Sequence, residues 1–298
     1  MNTDYFFINL KITLMQPLIV VGYGFDLKEG SYFLLDDQSM VPTRRSKMYL
    51  QSKLLYLTRS HILHCTGRYH LATHTPQACP AQAVLYSNTH TTNCRVCYLA
   101  TGFHPGFDAM ARERLSLQQQ AYNQDAHCVY LAYFASGLIK VGIAHYKRYY
   151  SRLLEQGARA GCMIKLCSDA YAARKFEKEA IKKGIKGSIT RKRKIDYLLH
   201  SSYSVEEAEV ALRREWDYLY NTMEDVSIAP FSGIKDFQKV YFPDGQPNLL
   251  TVPYVLDDVI KGTVGGMIGS FLIIQKDGCY GLLDIKPLLG KLIVEMLA

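Results

Sequence analysis

Apolar and polar positions alternate over short runs at both ends of the chain, and this period favours β structure. The runs ITLMQPLIVV, YFLLD and KMYLQ, separated by glycine and aspartate turns, predict strands over residues 12–57. Late in the chain, the sequence KDG at residues 276–278 stands between two apolar runs and predicts a hairpin. We therefore expect a β-rich N-terminal segment over residues 1–60 and a small β domain over residues 227–298.

The middle of the chain combines strand and helix patterns. VYLAYF and LIKVGIA flank Ser136-Gly137, which predicts an antiparallel hairpin with alternate residues on opposite faces. Helices are predicted over about residues 108–122 and 170–183, and a third from Ser204, each beginning at a residue that can cap it. The predicted fold class is α+β and multidomain.

Three further units lie between the two β-rich ends. They are a Cys/His-rich module (residues 61–108), a linker helix (109–126) and a core of antiparallel sheet with flanking helices (127–226). The N-terminus lacks a basic start, and the most apolar late stretch, residues 262–274, is short and interrupted by glycines. We therefore expect a cytoplasmic protein with no membrane partner, in which residues 262–274 form a strand pair.

The chain has eight cysteines and no evident secretory signal, so a disulfide scaffold is not expected. Cys94 and Cys97 form a CxxC pair, the spacing that lets two thiolates bind one tetrahedral metal ion. With Cys65 and Cys79 upstream, the pattern predicts a structural zinc site of four sulfurs. The surrounding segment lacks a sizeable apolar core, so metal binding would supply its folding free energy.

Two other interpretations of these cysteines stay open, a redox-active pair and simple burial. A histidine could also replace one cysteine as a ligand, and the nearby histidines are His61, His64, His70, His74 and His90. The remaining cysteines are predicted to lie in the core, and they are Cys128, Cys162, Cys167 and Cys279.

The net charge of +8 is concentrated in one short segment, residues 178–194, which holds eight basic residues and one acid. Such a concentration is typical of a nucleic-acid-binding surface, although a solvated helix end gives the same pattern. We expect a nucleic-acid partner, either DNA or RNA. The residues predicted to contact it are Arg148, Lys182, Lys183, Lys186, Arg191, Lys192, Arg193 and Lys194.

The central hairpin places a phenol, an ammonium and a helical guanidinium near one another, groups that suit phosphodiester binding. Val129-Tyr130-Leu131 and Lys140-Val141-Gly142, followed by a helical arginine, resemble the two half-motifs of the GIY-YIG nuclease superfamily. The resemblance implies that Tyr130 acts as general base, that Arg152 contacts phosphate and that Glu177, on a later helix, holds one divalent ion. This catalytic ion would be Mg²⁺ or Mn²⁺.

The sequence departs from that superfamily at several positions. The second tyrosine is replaced, with Lys140 the nearest polar substitute and an expected assistant in catalysis. The spacing from Gly142 to Arg152 is longer than usual by about two residues, so Arg148 stays an alternative phosphate ligand. Gln156 occupies the position one turn after Arg152, and the superfamily's late asparagine has no clear counterpart.

A second resemblance covers most of the chain. The phrases HCTGRYH, CRVC, TGFHPGF and RLLEQGAR are similar to those of an uncharacterised bacterial family, defined by a domain of unknown function. Members place a cysteine-rich region before a GIY-YIG-like core. Two functions are consistent with these patterns: a metal-dependent endonuclease, or a zinc-containing nucleic-acid-binding or regulatory protein that keeps the fold without turnover. A thiol or metal sensor is a third hypothesis.

Overall fold

A computed structural model of the chain describes residues 18–86, 91–224, 227–249 and 259–295. The first predicted apolar run lies partly outside these residues, and His90 lies wholly outside them. The N-terminal strands are β1 (Leu18–Asp26), β2 (Gly30–Asp37), β3 (Arg44–Tyr49) and β4 (Leu54–Arg59). The next elements are β5 (Leu63–His64), β6 (Arg68–His70), β7 (Thr75–Gln77), β8 (Val84–Leu85), α1 (Arg95–Thr101) and α2 (Leu117–Gln124).

The central elements are β9 (His127–Ala135), β10 (Leu138–His145), α3 (Tyr149–Gln156), β11 (Ala160–Cys167), α4 (Ala170–Lys182), α5 (Arg191–His200) and α6 (Val205–Thr222). The C-terminal elements are β12 (Lys235–Asp236), α7 (Gln238–Tyr241), β13 (Val259–Ile268), β14 (Phe271–Lys276), β15 (Cys279–Asp284) and β16 (Leu292–Glu295). The fold class is mixed α+β, as predicted.

The two β-rich ends of the chain form one sheet. Among the described residues, eight strands hydrogen-bond in the order β15-β14-β13-β4-β16-β1-β2-β3. Strand β16 lies between β1 and β4, and β13 pairs with the other edge of β4. The prediction of separate β units over residues 1–60 and 227–298 is therefore wrong. Alternation predicts where strands occur, but their partners are set by non-local backbone hydrogen bonds.

The second main sheet has the strand order β10-β9-β11-β12 and contains the predicted hairpin. All nine residues of β9 are buried, because the strand is covered on both faces. Tyr130 and Ala132 face one core, which they share with α3 and the eight-stranded sheet. Leu131 and Tyr133 face a second core with α4 and α6. The predicted assignment of alternate residues to opposite faces is confirmed.

The helix predictions succeed where a capping side chain and an apolar stripe coincide. Asp169 caps α4 through the backbone N–H of Ala172 at 2.8 Å, and Ser204 caps α6 through that of Glu207 at 3.3 Å. The predicted strand pair over residues 262–274 is confirmed as β13 and β14. The KDG hairpin between β14 and β15 is also confirmed.

The linker helix is shorter than predicted. Two 3₁₀ turns, Phe107–Ala109 and Arg112–Arg114, occupy most of its N-terminal half, and α2 begins only after its cap, Ser116. Asp108, the residue at the predicted start of this helix, forms an ion pair with Lys178 of α4.

Gly142 on β10 lies directly opposite Tyr130 on β9. Because glycine has no side chain, it leaves room for the ring of Tyr130. A Cβ at Gly142 would lie 2.6 Å from the Tyr130 hydroxyl, and this ring is 1% exposed and cannot move aside easily. We predict that Gly142→Ala lowers the free energy of unfolding by about 1–3 kcal/mol through overpacking. Urea denaturation measures this value.

Gly106→Ala is the matched control, because its Cβ would meet only the His104 ring at 3.5 Å, an ordinary contact. Its effect should stay within about 0.5 kcal/mol. Equal stability of the two variants would show that Tyr130 is not held as the structure indicates.

Candidate metal and anion sites

The four predicted zinc ligands lie together. The Sγ atoms of Cys65, Cys79, Cys94 and Cys97 all fall within 4.8 Å of one another. The sulfurs of Cys79 and Cys94 are 3.9 Å apart, close to the roughly 3.8 Å that two tetrahedral ligands adopt at 2.3 Å from a zinc ion. This cluster can hold a metal ion, and the residues present fit zinc.

Backbone N–H groups donate hydrogen bonds to the sulfurs of the cluster, and such bonds orient and stabilise thiolate ligands in metal sites. Cys65 Sγ accepts from the N–H groups of Gly67 at 3.4 Å and of Cys94 at 3.1 Å. Cys94 Sγ accepts from the N–H of Cys97 at 3.5 Å, which places the CxxC pair at the start of α1. Burial raises the pKa of Cys65 to about 11, so the thiols cannot all ionise without a cation.

None of the alternative ligands joins the cluster within the described residues. His74 lies elsewhere, with its ring centroid 4.2 Å from that of His145. Among the other cysteines, Cys128, Cys162 and Cys167 are buried as predicted. Cys279 is exposed at the start of β15, so its core prediction is wrong. The apolar residues that follow Cys279 in the sequence predicted a core position, but they do not show that Cys279 lies at the exposed start of a hairpin strand.

Tyr130 is positioned by its strand and by one hydrogen bond. Its hydroxyl accepts from Gln156 Nε2 at 2.7 Å, at the C-terminal end of α3. The side chain is 1% exposed, and burial raises its pKa although Arg152 lowers it. A general base of this kind would need a depressed pKa, so the environment of Tyr130 opposes that role.

Lys140 lies on the same face of the hairpin as Tyr130, opposite Ala132. Burial and the charge of Arg152 lower the pKa of Lys140 to about 8, and Glu177 partly opposes this shift. Glu177 is buried on α4 and forms an ion pair with Arg174. Arg152 and Glu177 thus both lie within electrostatic reach of Tyr130 and of Lys140.

The two alternative arginines differ in their partners. Arg148 donates two hydrogen bonds to the carboxylate of Glu155, at 2.7 and 2.9 Å, and its guanidinium lies over the ring of Tyr69. Arg152 is 3.9 Å from the same carboxylate and is 47% exposed. Arg152 is therefore the guanidinium that is more available to a ligand.

The basic residues of the segment 178–194 differ in their surroundings. Lys182 pairs with Glu179, Lys186 donates to the carbonyl of Gly137 at 2.9 Å, and Lys183 is exposed. Lys192 and Arg193 are exposed on the first turn of α5, a helix that the sequence patterns did not predict. The segment therefore divides into an outward part and a part that faces a cleft.

A polar cleft of about 440 Å³ lies where α3, α5 and the eight-stranded sheet meet. Its cations are Arg152 from α3, Arg191 and Lys194 from α5, and Lys286 from the 3₁₀ helix Lys286–Leu288. Arg191 pairs with Asp284, and Glu155, the acid that lines the cleft, is already bonded to Arg148. The cleft therefore carries an excess of positive charge.

Lys194 links this cleft to Tyr130. Its ammonium donates to the backbone carbonyl of Gln156 at 2.6 Å and lies over the ring of Phe134. Burial, together with repulsion from Lys140, Arg152 and Lys286, lowers the pKa of Lys194 to about 8. The cations repel one another strongly enough that an anion bound among them would be stabilised.

Sequence reasoning missed Lys286 and Tyr23, which also line this cleft. Both belong to segments read only as part of a β domain, and no local signal relates them to α3. The pKa of Tyr23 is raised to about 12 by burial and by the charges of Glu155 and Asp284. These residues reach the site because the eight-stranded sheet packs against the central core.

The residues around Glu177 do not fit a divalent cation well. Hard cations take several oxygen ligands, and two or more carboxylates are common. Glu177 is the one carboxylate of the predicted set, its charge is paired with Arg174, and Lys140 and Arg152 are close. In the described part of the chain, the four cysteines are the only group of three or more ligand residues close enough to share an ion.

These observations define a mixed α+β protein with a four-cysteine metal cluster and a cationic cleft beside a central hairpin. The family described as "Protein of unknown function (DUF2797)" matches residues 69–292, so the chain belongs to this family. The match begins after Cys65 and after the first four strands of the large sheet. No curated protein and no solved structure matched the chain. No helix in the described ranges has the length and apolar character needed to cross a membrane.

We predict one equivalent of tightly bound metal, expected to be zinc, in the purified protein. Cys97→Ser should remove most of it and destabilise the segment around α1, because the thiolate at this buried position is lost. Elemental analysis, with release measured by a chromogenic chelator, gives the stoichiometry. Cys279→Ser is the control and should keep the full metal content; absence of metal from the wild type would disprove the site.

Proposed function

We propose that the protein binds nucleic acid, with a phosphodiester held in the cationic cleft beside α3 and a zinc ion stabilising the cysteine-rich module. Four cations from three separate elements line this one cleft, and the proposal rests on them: Arg152, Arg191, Lys194 and Lys286. Phosphate groups are the multivalent anions that such a set of guanidinium and ammonium groups binds best.

The lowered pKa values of Lys140 and Lys194 support this proposal. Each value of about 8 arises from burial and from neighbouring cations. A bound phosphate would offset the repulsion and raise both pKa values, so that both ammonium groups would stay charged to higher pH. The folded protein thus already carries an electrostatic cost that an anion would remove, and this cost favours binding.

The contacts of the two arginines support the choice between them. One guanidinium nitrogen of Arg148 donates to both carboxylate oxygens of Glu155, whereas Arg152 makes only a long contact with that carboxylate and lines the cleft. We assign Arg152 to the phosphate and Arg148 to holding Glu155. The chain order of the hairpin, α3 with Arg152 and α4 with Glu177 also supports the proposal, because the resemblance to GIY-YIG nucleases implies a helical arginine after the hairpin and a glutamate on a later helix.

Phosphodiester hydrolysis is the second candidate function. The favouring observation is that Arg152 and Glu177 both lie close enough to influence the pKa values of Tyr130 and Lys140. The raised pKa of Tyr130 and the ion pair of Glu177 oppose it. Binding without turnover is therefore the function that the geometry supports best.

The binding prediction compares two double variants that each remove one arginine and one lysine charge. Arg152→Gln with Lys194→Gln should weaken the binding of short single-stranded DNA and RNA. The slope of log Kd against log salt should fall by about 1.4, because two phosphate contacts are lost. Fluorescence anisotropy over a range of salt concentrations measures both quantities.

Lys192→Gln with Arg193→Gln is the matched control, since these residues lie on the same segment but face solvent. This control should change the slope of log Kd against log salt less than Arg152→Gln with Lys194→Gln does. Equal losses in the two double variants would mean that binding depends on overall charge rather than on the cleft. No binding by the wild type would disprove the proposed function.

The cleavage prediction concerns the four residues of the predicted catalytic site, which are Tyr130, Lys140, Arg152 and Glu177. We expect the wild type, with Mg²⁺ or Mn²⁺, to cleave single-stranded, double-stranded and branched substrates no faster than Glu177→Gln does. We also expect Tyr130→Phe to bind as the wild type does, since it removes a chemical role but little contact area. Denaturing electrophoresis of labelled substrates tests this, and metal-dependent cleavage lost in both variants would establish hydrolysis instead.

A further inference from the structure

A second cavity, of about 230 Å³, adjoins the cationic cleft and shares Arg152 with it. Its walls come from the segment before α2, from α2 itself, and from the hairpin strands β9 and β10. Arg174, the ion-pair partner of Glu177, also lines it. The cavity and the cationic cleft therefore meet at Arg152, and the cavity reaches the partner of Glu177.

Aromatic side chains form much of this cavity. Phe103, Phe107 and Tyr122 line it, and the Phe103 and Tyr122 rings meet edge to face at 6.2 Å. Tyr122 also stacks on His145 with its ring centroid 4.9 Å away, so its orientation is fixed. Aromatic rings around a small space, with Tyr122 held in place, suit a planar aromatic ligand, since stacking needs flat surfaces.

Asn123 adds an amide to a cavity lining that also includes Arg148, Arg152, Arg174, His127 and His145. It lies on α2 and is fully buried, and neither its Oδ1 nor its Nδ2 has a hydrogen-bond partner among the described residues. A buried amide without a partner costs about 1–3 kcal/mol. Such exceptions in native proteins need an explanation, and a ligand that offers both a donor and an acceptor would provide one.

We propose that this cavity receives one nucleobase of the bound strand, turned out of its stack, while Arg152 contacts the adjacent phosphate. The inference rests on the proposed nucleic-acid binding and names how that site engages its ligand. An asparagine amide presents an acceptor and a donor side by side, and the edge of adenine offers the complementary pair. Enclosure by aromatic side chains with one hydrogen-bonded edge is how proteins hold a base outside the stack.

We assign to the ligand both an aromatic base and a phosphate, because the aromatic cavity and the cationic cleft meet at Arg152. A free aromatic molecule would use the rings and Asn123 but would leave the guanidinium of Arg152 without an anion. A phosphate alone would use the cleft but would leave the buried amide without a partner. A nucleotide unit of a strand satisfies both sets of groups.

The test compares a short deoxyadenosine oligonucleotide with an abasic oligonucleotide of the same length and charge. The wild type should bind the base-containing strand at least about fivefold more tightly, through stacking and the Asn123 contacts. Asn123→Leu should remove most of that preference without lowering the melting temperature, because it replaces an unpartnered amide by an apolar group of similar size. Asn221→Leu, on an exposed turn of α6, is the control and should keep the preference.

The possible outcomes separate this inference from the proposed function. If both strands bind equally and remain sensitive to Arg152→Gln with Lys194→Gln, the cleft binds phosphate and the base cavity is disproved. If Asn123→Leu weakens binding of both strands alike, Asn123 acts on the fold rather than on a base. If neither strand binds the wild type, the proposed function and this inference both fail.

Discussion

The burial of strand β9 on both faces is the constraint on which the rest of the structure depends. One face joins the core shared with α3 and the eight-stranded sheet, and the other joins the core with α4 and α6. A strand in this position fixes the helices on both sides relative to one hairpin. The cleft, the aromatic cavity and the pair of Tyr130 and Gln156 are therefore positioned by the same packing.

Electrostatic repulsion is the second organising feature, and it concentrates around α3. The protein keeps Lys140, Arg152 and Lys194 near one another, and burial lowers the pKa of both lysines to about 8. Glu155 could neutralise the site, but it is bonded to Arg148. Such an arrangement reduces the stability of the protein without a ligand, which is common where function requires a preorganised charge.

The sequence predicted much of the local structure and the four cysteines of the metal cluster. The hairpin followed from alternation around Ser136-Gly137, and the cysteine cluster followed largely from the CxxC pair. The proximity of Tyr130 and Glu177 followed from a resemblance rather than from a pattern. Asn123, Lys286 and the junction of two cavities at Arg152 were not predicted, because nothing local marks a buried amide as unpartnered or relates distant segments.

The sequence by itself determined the strand periods, the helix caps and the concentration of positive charge, since these depend on neighbouring residues. Tertiary structure decided which strands pair, and so merged the two ends of the chain into one sheet. It also decided that Lys194 faces the cleft while Lys192 and Arg193 face solvent. The physical reason is that strand partners and side-chain environments arise from contacts between residues far apart in sequence, and alternation carries no information about them.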